Sequence, residues 1–327
     1  MSEAGVPAPG FVKRIGEVVD ERRGIRFQEL SCRSLINRLS GTAMPFGWTA
    51  NPYRGCEFGC RYCYARPTHE YLGHCSAEEF EERIYVKRAE TRRLLAELRR
   101  ARDSGQEVAI GTATDPYQPA ESRFEITRGV LEAISRVPGL RIGITTKSVL
   151  ITRDLDLLRE VARGSDLRVN MSLISLDSDL LRLIEPRAPR PHLRLRAVET
   201  LARAGVGTRL FIMPVLPLLT DGEAGLRALL EAARAVGAEE AICQPLFLRN
   251  ALTRDFFLAF VEREFPWALP RYRELFPTPG SAPREYREVV EREVARLAWE
   301  AGFKARSREE RVRAEAPPRS RQLSLMW

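Results

Sequence analysis

Three cysteines lie within eight residues, Cys56-Glu57-Phe58-Gly59-Cys60-Arg61-Tyr62-Cys63, and Tyr64-Ala65-Arg66 follows at once. The spacing is C-x3-C-x2-C. Three thiolates this close in sequence can converge on one soft metal centre. They are one short of the four that usually hold an iron–sulfur cube. A cube with three protein ligands keeps one iron open to a substrate or cofactor. Zinc is the competitor, and structural zinc wants four ligands in short pairs. Cys60 and Cys63 make one such pair, and His69, His74 and Cys75 lie a few residues on. A third cysteine at C-x3-C-x2-C spacing, with an aromatic directly before the last one, is not a usual zinc pattern. A disulfide is the weakest reading. No leader-like segment marks the chain for export, so a reducing, cytoplasmic setting is expected.

C-x3-C-x-aromatic-C resembles the signature of radical S-adenosylmethionine enzymes. The wider string Asn51-Pro52-Tyr53-Arg54-Gly55-Cys56, then Tyr62-Cys63-Tyr64-Ala65-Arg66, is similar to the branch that includes spore photoproduct lyase. The resemblance spans about residues 45–250. It implies that Cys56, Cys60 and Cys63 hold a 4Fe–4S cluster. It implies that the open iron binds S-adenosylmethionine through its amino and carboxylate groups. Reductive cleavage then gives a 5′-deoxyadenosyl radical, with flavodoxin or ferredoxin as the usual electron donor. The protein would supply orientation and exclusion of water. Tyr62 matches the aromatic that packs beside the adenine in that family.

The same resemblance assigns further groups. S-adenosylmethionine presents an ammonium, a carboxylate and a ribose diol, which call for an acceptor, a cation and polar partners. Thr114 matches a hydroxyl residue one before an Asp, here Asp115. Lys147, in Thr146-Lys147-Ser148, matches a lysine that reaches the carboxylate. Ser172 matches a serine after the next strand. Two departures stand out. Threonine occupies position 112, where spore photoproduct lyase has a hydrogen-donating cysteine, and a hydroxyl cannot give up a hydrogen atom as a thiol does. Phe58 stands where relatives often have histidine, which leaves cluster ligation intact.

Strands and helices alternate around these residues. The sequence predicts strands near 48–53 and at 107–112, 140–145, 167–173, 207–213 and 240–246. Helices are expected at about 77–102, 127–136, 152–163, 191–204 and 221–236. Thr152 reads as an N-cap, and Gly205 and Gly237 as C-terminal stops. Six strands separated by helices argue for an α/β fold with a parallel sheet. The pattern alone leaves an open doubly wound sheet as an alternative; the resemblance implies a partial (β/α)6 TIM-type barrel. Either way reactive groups belong at the carboxyl ends of strands, where Thr114-Asp115, Thr146-Lys147-Ser148 and Ser172 fall. The expected organisation is an N-terminal extension (1–45), the barrel (46–250) and a helical C-terminal layer with a charged tail (251–327). The tail ends Gln322 to Trp327, either a disordered basic segment or a docked apolar terminus.

Net charge is +8, which fits an anionic partner such as DNA or RNA. Only four of the 52 basic residues are lysines, a skew that looks like coding bias. No run of 18 apolar residues marks a membrane span. Cys32, Cys75 and Cys243 are scattered and make no second cluster motif. The expected function is reductive cleavage of S-adenosylmethionine at a 4Fe–4S cluster, acting on an unidentified substrate. The alternative is a non-catalytic zinc or iron–sulfur protein that binds nucleic acid.

Overall fold

Val108-Ala109-Ile110 and Ile142-Gly143-Ile144 are fully buried runs, the composition expected of strands covered on both faces. The computed structural model describes residues 12–22, 24–39 and 44–304. In chain order its strands are β1 (Val12–Arg22), β2 (Ile25–Cys32), β3 (Ile36–Arg38), β4 (Trp48–Ala50), β5 (Tyr53–Arg54), β6 (Arg83–Arg88), β7 (Val108–Ile110), β8 (Arg141–Thr146), β9 (Asp166–Ser172), β10 (Gly207–Val215), β11 (Glu240–Pro245), β12 (Phe247–Leu248) and β13 (Gly280–Ser281).

The principal sheet has the order β11-β10-β9-β8-β7-β4-β3. All neighbours from β4 to β11 are parallel, and β3 adds to the edge antiparallel to β4. Helices Thr91–Asp103, Ile126–Ser135, Leu155–Gly164, Pro191–Arg203 and Glu223–Ala235 connect the parallel strands, as crossovers must. Among the described residues the strand order from β4 to β11 never reverses. A doubly wound sheet is defined by such a reversal, so that alternative does not describe this chain.

Two local expectations need correction. The predicted helix at 77–102 is a four-residue turn, Glu79–Glu82, then β6, then the helix Thr91–Asp103. Ile84-Tyr85-Val86 is a buried β-branched and aromatic run, and that strand signal outweighs the charged residues flanking it. Thr152 is no N-cap; it sits in a 3-10 turn, Val149–Asp154, and its hydroxyl donates to Val149 O at 2.9 Å. The described part of the N-terminal extension, whose structure the sequence leaves open, carries strands. β1 and β2 join β6 and β5 in a second sheet, β1-β2-β6-β5, and β3 belongs to the principal sheet.

The stops at Gly205 and Gly237 hold, with φ of +76° and +97°. Beyond β11, helix Arg284–Glu300 packs on β11 and on Glu223–Ala235. Helix Ala251–Glu264 reaches the turn that follows the cysteines, where the Arg66 guanidinium lies 4.1 Å from the centre of the Phe256 ring. No helix among the described residues is long and apolar enough to cross a membrane. Residues 1–10 and the charged tail with its terminus lie outside the described residues.

Candidate functional site

β5 delivers the chain into the cysteine loop through Gly55, at φ +85°. A Cβ on Gly55 would sit 2.5 Å from Arg83 O and 2.9 Å from Phe80 O, so only glycine fits. The loop is then tied to the segment after β7. Thr114 Oγ1 donates to Gly55 O at 2.5 Å, and Gln118 Nε2 donates to both Thr114 Oγ1 and Gly55 O at 2.9 and 3.2 Å. Gln118 Oε1 accepts from the Glu57 amide at 2.9 Å, and Glu57 Oε1 accepts from the Ala120 amide at 2.6 Å. The Cys56 amide donates to Phe80 O at 3.0 Å.

The far end of the loop is held by a buried arginine. Arg66, 1% exposed, donates to Cys60 O at 3.0 Å, Ala77 O at 2.6 Å and Glu81 Oε2 at 2.6 Å. Glu81 also pairs with Arg187 at 3.2 Å and Arg61 at 3.6 Å. The Arg61 amide donates to Ile184 O at 2.9 Å, which ties the middle of the loop to the segment before Glu185. Phe58 is packed in the core.

Cys60 is buried, and Cys56 and Cys63 are half-buried. Burial raises all three thiols, Cys60 to about 12. Asp115 pushes Cys56 further up, whereas Lys147 draws Cys60 down and Arg66 draws Cys63 down. Unligated, the three thiols are therefore held neutral, with the cations Lys147 and Arg66 nearby. Among the described residues no three His, Cys, Asp or Glu groups are arranged to hold a single metal ion. A cube takes each thiolate on its own iron, so its ligands need not meet at a point. The histidines that a zinc knuckle would need are engaged elsewhere. His69 Nε2 bonds to Arg83 O at 2.8 Å, and His74 bonds to Glu79 and to the Tyr85 hydroxyl at 3.0 and 2.5 Å. Cys32 donates to Arg88 O at 3.4 Å, and Cys75 is exposed.

Beside the loop, Glu185 gathers the strand-end groups. Its side chain is 0% exposed. One carboxylate oxygen accepts from the Tyr62 hydroxyl and the other from Arg194, itself 1% exposed. Lys147 Nζ lies 3.8 Å from the first oxygen. Lys147 also donates to Ser172 Oγ at 2.9 Å and stands 5.7 Å from the centre of the Tyr62 ring. Arg194 reaches Ser172 O at 3.0 Å. Burial alone would raise the Glu185 carboxyl, but Arg194 and Lys147 outweigh it and hold it below its ordinary value. Burial would likewise lower Lys147, but Glu185 and Cys60 hold it above its ordinary value.

Asp115 is occupied by the protein. It accepts from the Thr146 hydroxyl and the Lys147 amide, both at 2.7 Å, and from the Tyr117 amide at 2.9 Å. Of the predicted site residues, Tyr62, Lys147 and Ser172 thus meet around Glu185, while Thr114 and Asp115 face partners within the chain. Tyr53 donates to Glu121, Tyr117 is buried, and exposed Tyr64 donates to Thr112 O. Sequence reasoning assigned no role to Arg194, Gln118 or Arg66. The available signal was the position of Arg194 among the buried Pro191, Ala197, Val198 and Leu201 of its helix.

A family model described as the radical SAM superfamily matches residues 50–230. The chain belongs to the radical SAM superfamily. The match starts at the end of β4 and stops within Glu223–Ala235, so β11 and the C-terminal helices of this radical SAM enzyme lie beyond it. An uncharacterised protein of Mycobacterium tuberculosis is 39% identical over 294 residues, 88% of this chain and 86% of that one. An uncharacterised protein of Methanocaldococcus jannaschii is 29% identical over 176 residues, 54% of this chain and 63% of that one. The fold is similar to that of a spore photoproduct lyase mutant, with TM-score 0.62 at 15% identity over 84% of this chain and 79% of that one. A second mutant, with AdoMet and dinucleoside spore photoproduct bound, gives TM-score 0.59 at 16% identity over 79% and 77%.

Two substitutions test this geometry. Glu185→Gln leaves the Arg194 guanidinium buried without its counter-charge, and should cost about 3–5 kcal/mol near neutral pH. The Glu185 carboxyl is held low, so its contribution is present above the unfolded carboxylate range and lost as pH falls through the folded value. Urea unfolding of wild type and variant should therefore converge as pH falls through the depressed Glu185 value, below the ordinary carboxylate range; a gap independent of pH contradicts the account. Gly55→Ala should destabilise by about 1–3 kcal/mol more than Gly73→Ala in thermal unfolding. Both glycines have positive φ, but Gly73 has nothing within 4 Å of its Cβ position.

Proposed function

We propose that this radical SAM enzyme holds a 4Fe–4S cluster through Cys56, Cys60 and Cys63 and binds S-adenosylmethionine against Tyr62, Lys147 and Ser172. One observation carries the reading: Lys147 stands between the aromatic of the cysteine motif and the end of β9, beside a buried carboxylate that keeps it charged. The donor set fits the cluster, with one buried and two half-buried thiols on a braced loop and cations nearby. When bound, the cluster supplies the electron for reductive cleavage of S-adenosylmethionine to a 5′-deoxyadenosyl radical.

The chain's own residues do the rest. Lys147 offers a lasting positive charge to a carboxylate. Ser172 fixes the direction of that ammonium. Tyr62 is held by Glu185, so its ring presents a set surface to an adenine. Asp115 fixes the Lys147 backbone, and Thr114 with Gln118 holds the cysteine loop at its entry. In this reading Thr114 and Asp115 serve the cofactor by positioning other groups. The unreversed strand order and the likeness to spore photoproduct lyase support a partial (β/α)6 barrel. Reduced thiols and a low-potential donor such as flavodoxin or ferredoxin fit a cytoplasmic setting. The net charge favours a DNA or RNA substrate, but Thr112 in place of a thiol argues for a reaction other than repair of spore photoproduct.

Anaerobic reconstitution with iron and sulfide, then dithionite and S-adenosylmethionine, should yield 5′-deoxyadenosine. Cys60→Ala should abolish it. Lys147→Met should raise the KM for S-adenosylmethionine at least tenfold with iron and sulfide content unchanged. Full cleavage by Cys60→Ala, or reconstituted protein that holds no labile sulfide, overturns the reading.

A further inference from the structure

Among the described residues, two cations next to the cysteine loop lack a counter-charge. Arg54 ends β5, directly before Gly55, and Lys87 lies on β6, the antiparallel partner of β5. With Asn37, Asn51, Thr68 and Ala113 they line one polar pocket. Arg54 Nη1 is buried and has no hydrogen-bond partner. The charges acting on Lys87 come from Arg54 and Cys32, and those acting on Arg54 from Tyr85 and Tyr71; no carboxylate is among them. Burial, and next the Arg54 charge, draw the Lys87 ammonium down to about 8.

This pairing is at odds with the rest of the molecule. Even exposed arginines find carboxylates here: Arg296 pairs with Glu223, Glu293 and Glu300, and Arg227 with Glu223 and Glu300. Two like charges sharing one sheltered pocket repel each other, and a bound anion removes that penalty. A phosphate group matches the donors. Its oxygens can take the flat guanidinium fork on one edge and the ammonium on another, with the Asn37 amide and Thr68 hydroxyl at hand. The pocket also touches the strand-end loop, because Ala113 in its wall donates its amide to Asn51 Oδ1 at 2.8 Å. Thr112 on one side and Thr114 on the other lead into the site described above.

We propose that Arg54 and Lys87 form a subsite for a phosphate group of the substrate, separate from the residues assigned to the cofactor. The proposal rests on the radical-enzyme reading only in calling the owner of that phosphate a substrate. Reconstituted protein is unfolded thermally in chloride and in inorganic phosphate at equal ionic strength. Binding of the dinucleotide dTpdT is measured by calorimetry, with thymidine as the phosphate-free control. Phosphate should raise the Tm of the wild type, and dTpdT should bind more tightly than thymidine. Lys87→Met and Arg54→Met should each abolish the Tm rise and weaken dTpdT at least tenfold. In chloride both variants should melt no lower than wild type, because each removes one of two repelling charges. Lys87→Arg should keep the phosphate response. An unchanged Tm in phosphate, thymidine bound as well as dTpdT, or full binding by Lys87→Met overturns the subsite. Iron, sulfide and 5′-deoxyadenosine are assayed on the same samples, so failure of the cluster reading is seen apart from failure of the phosphate response.

Discussion

A carboxylate with no exposed surface is the constraint on which the site depends. Glu185 takes the Tyr62 hydroxyl from the cysteine loop, Arg194 from the helix after it and the Lys147 ammonium from the end of β8. Arg194 then reaches the carbonyl that closes β9. A buried ion pair is a poor source of net stability, because desolvation opposes the attraction. Its effect is geometric. With either oxygen unpaired the charge would be intolerable, so the loop and two strand ends are forced into one arrangement.

Much of the fold was legible. The buried runs in β7 and β8, and the glycine stops after Pro191–Arg203 and Glu223–Ala235, carry local signals that survive folding. β6 was not legible, because Ile84-Tyr85-Val86 is flanked by Arg83 and Lys87 and lies in a stretch rich in Glu and Arg. Its strand conformation comes from pairing with β2, about 57 residues earlier in register. The cysteines stand out because their spacing alone suggests metal chemistry. Glu185 and Arg194 were not, because a functional carboxylate or arginine looks like a surface one until burial distinguishes it.

Arginine shows the difference well. The chain has 52 basic residues, and composition alone suggests a uniform positive coat. The molecule sorts them instead. Those on helix surfaces, such as Arg296, pair with nearby carboxylates and contribute little. Arg66 and Arg194 are almost wholly enclosed and each bonds to backbone carbonyls as well as to a carboxylate. Five donors in a rigid fork suit that task, and lysine could not replace them.

The bracing of the cysteine loop carries a last consequence. In a zinc finger the ion supplies the folding energy, and the empty polypeptide collapses into disorder. Here Gln118, Thr114 and Arg66 fasten both ends of the loop through ordinary hydrogen bonds. The shape of the loop is thus set by the polypeptide itself. On the proposed reading, a chain that lost its iron would keep this loop folded and could be refilled, with no need to be made anew.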